Sequence, residues 1–527
     1  MKKVLITDSV DEKCSEILTS AGFEVKYQTN LSKEDLFKII PDFHVLIVRS
    51  ATQVDAELIS KMEKMELIGR AGAGVDNIDV PAATRKGILV MNTPGGNTIS
   101  AAEHTMALLL AMTKKIPQAN ISLHLKKWDR KKNQGTELFG KTLGLIGFGK
   151  IGKDVALRAK AFGMKIIAHD PIHNPASASD LGIQLVTLDE IWKNSDIISV
   201  HTPLNDRTKN LISYDTLCKC KTGVAIINCA RGGIVNEKDL LRALKEGTVS
   251  SAGLDVFETE PPDFSIGLIS HPSVVSTPHL GASTEEAQQK VAVQIAEQAI
   301  HYFNDDDFTG AVNAISIKEI TSENLKAFVR ISEIIGKMLS QVRRGSLKKI
   351  TIVCNGEVIS DSLKILSTAL LKGFLSEELD EPVNFINANV LAEELGIVLQ
   401  EIISSDRKEY PNLIHASIET DSSKWQFAGT VFNNNEPRIV ALNNYPVEFK
   451  PEGNILIYKN IDKPGMLASV SGELASSNIN IANLSLGRVV EGDTAITVIN
   501  LDSSISEELK KSISLIEGIE EVYSVII

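Results

Sequence analysis

One stretch restricts the folds open to this chain more than any other: TLGLIGFGKIGKDVALRAKAFGMKIIAHD, residues 142–170. An apolar run ends in Gly147-Phe148-Gly149-Lys150-Ile151-Gly152, an amphipathic segment follows, and a second apolar run ends in Asp170. A bare G-x-G-x-x-G is weak, because glycine is common; between strand, helix, strand and acid it has a mechanical reading. Gly147 permits a tight turn, Gly149 lets the backbone approach a bound group, and Gly152 lets helix and strand pack closely. A helix starting there offers free N–H groups and its positive dipole end to a pyrophosphate. The carboxylate of Asp170 suits ribose hydroxyls and repels a 2′-phosphate, which selects NAD over NADP. The plainer alternative, a glycine-rich turn in an ordinary α/β domain, gives that acid no reason to be there.

The same alternation of short apolar runs and helical stretches fills the first ~310 residues. VLITD (4–8), EVKY (24–27), HVLIVRS (44–50) and LIGRAG (67–72) precede the motif, and IISVHTP (197–203), VAIINCA (224–230) and SAGLDVF (251–257) follow it. Runs of this length separated by helices predict parallel sheets, here in two doubly wound, Rossmann-like lobes. Residues 100–116 read as a long helix joining the lobes, and 291–303 as a helix returning to the first. The expected units are 1–97 with 287–310, then 98–286, with a boundary at the acidic turn NDDDFTG (304–310). Residues 311–452 read as an α+β domain, helical near 322–341, with LIHASIET, KWQFAGTVF and PRIVAL as an antiparallel group. Residues 453–527 have the order βαββαβ, a ferredoxin-like split motif that commonly pairs with a copy of itself.

Composition narrows the function classes. The 527 residues carry 55 Lys+Arg against 67 Asp+Glu, a net −12, which argues against nucleic acid or an anionic membrane as principal partner. Val4-Leu5-Ile6 is too short for a signal-peptide core, and Met106–Met112 is too short to cross a bilayer, so a soluble, cytoplasmic protein is expected. Five cysteines suit neither a disulfide framework nor, with Cys218 and Cys220 alone together, a zinc site; no metal is expected.

Three segments carry chemistry to the carboxyl edge of the second sheet: INCARGG with Arg231, LDVFETEPP with Glu260, and STPHLGAST with His279. Taken singly, Glu260 and His279 are as readily plain loop residues. Together the three suit oxidation of a 2-hydroxy acid. Arg holds a carboxylate with a planar fork, His takes the hydroxyl proton near neutral pH, and a carboxylate beside it fixes the tautomer and raises its pKa.

With the GFGKIG turn, these motifs resemble the D-isomer-specific 2-hydroxyacid dehydrogenases. RSAT (49–52), GRAGAGVDNID (69–79) and NTPGGNTISAAEHT (92–105) are similar to members acting on 3-phospho-D-glycerate in L-serine synthesis, and the tail with Asp462-Lys463-Pro464-Gly465 resembles an ACT regulatory domain. The resemblance implies NAD as cofactor, Arg231 as substrate ligand, His279 as acid/base and Glu260 as its partner. It places Lys150 and Ile151 at the pyrophosphate turn and Asp170 at the ribose. It places Thr202, Cys229, Ala230, Arg231, Asp255, His279 and Gly281 beside the nicotinamide. Arg49 is the candidate for the phosphate end, with Ser50 and Asn97 as neutral donors. Backbone at Ala73 and Gly74 faces the substrate; many relatives have Thr where this chain has Ala73. At the tail, Asp462 and Asn480 are expected to hold an amino-acid effector, L-serine, between paired domains, and a homodimer or homotetramer is expected. The basic run KKWDRKK (126–132) is either a solvated face or a source of Arg130 and Lys131 for an anionic substrate across a dimer interface. Two rivals share the motifs: a glyoxylate or hydroxypyruvate reductase, and an NAD-sensing binding protein on the same fold.

Overall fold

Three of the first lobe's four predicted strands, VLI, VLIV and LIGR, are apolar almost throughout, because a parallel sheet covered on both sides has no solvent face, whereas EVKY, at the sheet edge, keeps Glu24, Lys26 and Tyr27 exposed. In the computed structural model, which describes residues 1–172, 178–305, 307–314, 323–404, 410–432 and 435–527, the four form β1 (Lys3–Ile6), β2 (Glu24–Tyr27), β3 (Val45–Val48) and β4 (Leu67–Arg70). A fifth strand absent from the sequence expectation, β5 (Leu89–Asn92), completes a parallel sheet of order β2-β1-β3-β4-β5. Alternate residues of β3 serve different cores. Val45 and Ile47 pack under the helix Glu285–Asp305 with Val291, Ile295 and Ala299, whereas Leu46 and Val48 pack with Leu58, Ile59 and Ile68. The late helix thus returns to the first lobe.

The second lobe holds β6 (Thr142–Ile146), β7 (Lys165–His169), β8 (Gln184–Leu185), β9 (Ile197–Val200), β10 (Val224–Asn228), β11 (Val249–Leu254) and β12 (Val274–Ser276). Their order is β12-β11-β10-β9-β6-β7-β8, and every pairing is parallel. The strand order reverses at β9/β6, where an open α/β sheet has its ligand crevice. The short β8 and β12 add to the strands the sequence predicts. The helix Thr98–Lys114 joins the lobes and ends at Lys115, whose φ of 53° puts it in the left-handed region before the helix Ile116–His124.

The expected antiparallel group is present within a six-stranded sheet. It comprises β13 (Leu347–Asn355), β14 (Val398–Ser404), β15 (Leu413–Thr420), β16 (Lys424–Phe432), β17 (Glu436–Leu442) and β18 (Tyr445–Phe449), in the order β14-β13-β15-β16-β17-β18. Only β13/β14 is a parallel pair. The helices Glu323–Val342 and Leu363–Glu378 pack against it.

The tail forms β19 (Asn454–Ile461), β20 (Ile481–Arg488), β21 (Thr494–Leu501) and β22 (Ile519–Ile526), ordered β20-β21-β19-β22 and antiparallel throughout. Its helices Met466–Ser476 and Glu507–Ser514 cover one face around Leu456 and Ile499. The other face, Ile455, Ile457, Ile496, Val498 and Tyr523, joins one core with Trp425, Phe427 and Phe449 of the preceding sheet. Each fully buried Ile stabilises by about 2 kcal/mol, so these two units are bound firmly to one another. Among the described residues, no helix is long and apolar enough to cross a membrane.

Candidate active site

The nucleotide turn has the geometry its glycines predict. Gly147 has φ +99°, and a Cβ there would lie 2.4 Å from the His201 carbonyl oxygen. A Cβ at Gly152 would lie 2.3 Å from the Gly147 carbonyl oxygen. Nothing lies within 4 Å of a Cβ built on Gly149, the residue capping the helix Lys150–Ala161. The backbone is therefore closed on the strand side and open where a phosphate would approach. Asp170 follows β7 and accepts the Phe148 N–H at 2.8 Å and the Ile172 N–H at 2.9 Å, which holds its carboxylate beside the turn. Thr202, after β9, has a buried hydroxyl oxygen with no protein partner. A glycine cradle, an open helix start and an orphaned hydroxyl fit a dinucleotide. Ile151 packs into the lobe's core, while the Lys150 ammonium reaches across to the Pro94 carbonyl of the first lobe at 3.4 Å.

His279 and Glu260 meet at the far side of the crevice, Nδ1 to Oε2 at 2.7 Å. That bond, with the carboxylate's charge, raises the His279 pKa above its ordinary value against an opposing effect of burial. Burial pushes the Glu260 carboxyl up, but the His279 bond and charge outweigh it and hold it low. Engaging Nδ1 leaves Nε2 as the free ring nitrogen. His279 itself has φ 54°, held by its N–H bonding to the Asp255 and Thr277 carbonyls at 2.9 and 3.0 Å.

Asp255, expected beside the nicotinamide, lies just beyond β11 behind the His279 loop. It is 1% exposed, and both oxygens serve protein donors. Oδ1 accepts the Leu280 N–H at 2.7 Å, the Thr277 hydroxyl at 2.5 Å and His104 Nε2 at 3.1 Å, and Oδ2 accepts the Gly281 N–H at 2.7 Å. Burial raises this carboxyl, and the donated bonds overcome it and keep it below the usual range. Asp255 is placed to hold the His279 loop. Ser100 reinforces it by donating to the Gly281 carbonyl at 2.8 Å.

Arg231 follows β10. Asn228 fixes its turn, accepting the Ala230 N–H at 3.0 Å and donating to the Arg231 carbonyl at 2.8 Å. The guanidinium crosses to the first lobe, where Nε meets Asp76 Oδ2 at 2.9 Å, and it lies so near Gly74 that a Cβ there would be 2.0 Å from Nη2. Gly232 is compulsory, since a Cβ would fall 1.7 Å from the Phe257 carbonyl oxygen. Cys229 is half-buried, and desolvation pushes its thiol up to about 12, which leaves it inert.

Arg49 sits on a loop ordered by the buried Asp8, which accepts the N–H groups of Arg49, Ala51 and Thr52 at 2.6, 3.1 and 3.1 Å. The Arg49 guanidinium donates to the Ser9 carbonyl at 2.9 Å; Ser50 is exposed. Asn92 donates to the Ala73 carbonyl at 2.5 Å. Asn97 caps the linking helix without a side-chain bond to it.

Arg70, at the end of β4, is hidden in the sequence by the glycine cluster around it. Burial, and then the charge of Arg231, lower its pKa to about 10, and Arg49 contributes in the same sense. Its Nε is buried without a partner. Three guanidiniums close enough to repel one another across a crevice have a use if an anion lies between them. Asp76 and His104 are further site residues that the sequence reasoning misses. The signal for His104 is Ser100 four residues earlier, a polar pair on one face of an otherwise apolar helix.

Of the two tail residues, Asp462 accepts from Arg488 at 3.3 Å and from the Gly492 N–H at 3.1 Å, and Asn480 donates to Asp502 at 2.8 Å. Both are engaged within their own unit. Arg130 and Lys131 are exposed, beyond the helix Ile116–His124. Among the described residues, no group of three or more His, Cys, Asp or Glu could hold a metal ion.

Comparison with known proteins fits this geometry. Residues 106–281 match the profile of the D-isomer specific 2-hydroxyacid dehydrogenase NAD binding domain, 324–443 the D-3-phosphoglycerate dehydrogenase intervening domain, and 454–514 the ACT domain. D-3-phosphoglycerate dehydrogenase of Methanocaldococcus jannaschii is 42% identical over 99% of both chains, and that of Homo sapiens 39% over 94% of both. The chain belongs to the D-3-phosphoglycerate dehydrogenase family. Like the family it is an NAD-dependent oxidoreductase. An NAD⁺-bound 3-phosphoglycerate dehydrogenase from Entamoeba histolytica aligns with a TM-score of 0.52 at 32% identity, covering 59% of this chain and 98% of that one. D-Lactate dehydrogenase from Aquifex aeolicus, complexed with NAD and lactic acid, gives 0.54 at 29% over 59% and 100%.

Proposed function

We propose that this protein oxidises the C2 hydroxyl of 3-phospho-D-glycerate to the 2-oxo acid, 3-phosphohydroxypyruvate, the first step of L-serine synthesis. The observation that carries the reading is the arginine trio around one crevice, with the His279–Glu260 pair facing it. A substrate with a carboxylate at one end and a phosphate at the other needs cations at both. Arg231 holds the carboxylate and polarises the C2 oxygen, and Arg49 and Arg70 take the phosphate, assisted by Ser50, Asn97 and the backbone at Ala73 and Gly74. His279 Nε2 accepts the hydroxyl proton as C2 is oxidised; Glu260 holds the ring tautomer and stabilises the imidazolium. NAD, held by the 147–152 turn, Asp170 and Thr202, supplies the hydride acceptor. Residues 1–97 with 287–310 form the lobe that closes on 98–286, and the 311–452 and 453–527 units control that closure. A small effector, L-serine, binds at the loop of Asp462 with Asn480 across a pair of tails, and the active form is a homo-oligomer.

NADH formation from 3-phosphoglycerate, D-glycerate and D-lactate tests the reading. Phosphorylated substrate is expected to give a kcat/KM at least about a hundredfold higher, as two charge-assisted contacts predict. Equal rates on the three would favour a general 2-hydroxyacid dehydrogenase, and NADH binding without turnover would favour a sensor.

A further inference from the structure

The helix Thr98–Lys114 begins only a few residues after Thr93, whose N–H bonds to the Gly72 carbonyl of the first lobe at 3.0 Å. Ala102, Met106, Leu109 and Met112 fix it in the core of the second lobe, with Leu143 and Ala225. Two polar residues one turn apart adjoin that apolar side, Ser100, which is 7% exposed, and His104. They hold the His279 loop on either side of His279. Ser100 donates to the Gly281 carbonyl at 2.8 Å, and His104 Nε2 lies 2.9 Å from the Thr277 hydroxyl and 3.1 Å from Asp255 Oδ1. The Thr277 hydroxyl spends its hydrogen on Asp255 Oδ1 at 2.5 Å. Both contacts of His104 therefore end on acceptors, and Nε2 carries the ring's hydrogen. Thr105, next along the helix, hydrogen-bonds the Cys229 thiol, two residues before Arg231.

His279 needs this support. Its φ of 54° lies in the left-handed region, where a residue other than glycine persists only if its surroundings over-determine it. Its N–H bonds to the carbonyls of Asp255 and Thr277, and those are the two residues whose side chains His104 grips.

We infer that His104, seconded by Ser100, is a positioning residue for the acid/base: the helix that joins the lobes keeps the His279 loop in its left-handed form. His104 Nε2–H fixes the Thr277 and Asp255 side chains, their carbonyls fix the His279 N–H, and the His279 ring is thereby held with Nδ1 on Glu260. In this role His104 acts through the loop and exchanges no proton with substrate. The inference rests on His279 being the acid/base, and it adds to that reading a group remote from the reacting atoms.

Single-turnover formation of NADH from 3-phosphoglycerate at saturating NAD, followed by stopped-flow absorbance, isolates hydride transfer from product release. His104→Phe keeps a ring and removes the donor, whereas His104→Gln places an amide N–H near the position of Nε2. The single-turnover rate should fall about ten- to hundredfold in His104→Phe, the cost of a catalytic group misplaced by a fraction of an ångström to an ångström. KM for NAD and for 3-phosphoglycerate should stay within about twofold, and His104→Gln should recover the rate to within about threefold of native. Ser100→Ala should lower the rate in the same direction, again without moving KM. If His104→Phe does not fold, His104→Ala replaces it with the same expectations. His279→Ala in the same assay keeps the two readings apart. Near-native turnover there would remove the acid/base assignment and this inference with it. A collapse in His279→Ala beside an undiminished rate in His104→Phe would overturn the inference alone. Equal losses in His104→Phe and His104→Gln, or a loss confined to KM, would leave His104 a packing role and overturn it as well.

Discussion

Replacing Glu260 with Gln keeps the shape of the His279 partner and removes its charge. In the native protein that carboxylate is the largest cause of the raised His279 pKa, and burial opposes it. With the charge gone, burial and the charge of Arg231 work against the Asp255 charge alone, and the imidazole pKa falls. A hydrogen bond between charged groups is worth about 1.5–3 kcal/mol, and 1.36 kcal/mol corresponds to one pH unit. The His279 and Glu260 side chains are 45% and 38% exposed, so solvent screening keeps the effect near the lower bound. The expected shift is about one pH unit downward. The direction in each assay follows from the proton. Oxidation of the hydroxy acid needs neutral His279, so its kcat/KM rises with pH through the His279 pKa, and in E260Q that rise begins at lower pH. Reduction of the oxo acid needs the imidazolium, so its kcat/KM falls with pH through the same pKa, and in E260Q the fall also comes earlier. Both profiles therefore move the same way, while kcat for oxidation drops because the imidazolium formed at Nε2 has lost its stabilising charge. Profiles that stay in place with only their height reduced would refute the coupling and leave Glu260 a packing role.

His279→Ala should lower turnover by about 10²–10⁴-fold and leave NADH binding, followed by fluorescence, within about twofold. Arg70→Ala should raise KM for 3-phosphoglycerate by about tenfold or more with the NAD KM unchanged, since its buried guanidinium is assigned to substrate alone. Gly232→Ala should give little soluble protein, because its Cβ would lie 1.7 Å from the Phe257 carbonyl oxygen and no flexible side chain can yield. Arg85→Ala breaks the ion pairs to Glu381 and Glu394 between the first lobe and the six-stranded-sheet unit, yet Arg85 is 40% exposed. Chemical denaturation should show a destabilisation of no more than about 1 kcal/mol.

The fold was legible wherever strands are buried on both faces, because such strands leave continuous apolar runs; β3 reads VLIV and all four residues are buried. The strands that escaped notice are those with little to bury. β8 has two residues and β12 three, and β5 runs straight into the loop residues Thr93-Pro94-Gly95-Gly96. Arg231, Glu260 and His279 could be named because a parallel sheet delivers strand ends to one edge, which is a property of connectivity. Arg70 and Asp76 could not, since their relation to Arg231 exists only once two lobes face each other across a crevice.

Strand-end acids also have a structural use, and Asp255 shows it. A side chain at the carboxyl end of a parallel strand first meets the N–H groups of the loop that follows or of the neighbouring loop, and these are otherwise unpaired. Besides Asp170, three residues make that bond among the described residues, and each supports a loop with a candidate functional side chain. Asp8, just beyond β1, holds the Arg49 loop; Asn228, ending β10, holds the Arg231 turn; Asp255, just beyond β11, holds the His279 loop. The consequence can be measured. Asp255→Ala strands the Leu280 and Gly281 N–H groups, at about 1–3 kcal/mol each, so the second lobe should lose about 2–6 kcal/mol in denaturant titrations. Turnover should fall with it, because His279 loses its position while keeping its chemistry. If Asp255 instead touched the cofactor, the main change would be in NAD affinity, with stability nearly intact. A variant stable in denaturant but weak for NAD would return Asp255 to the cofactor site.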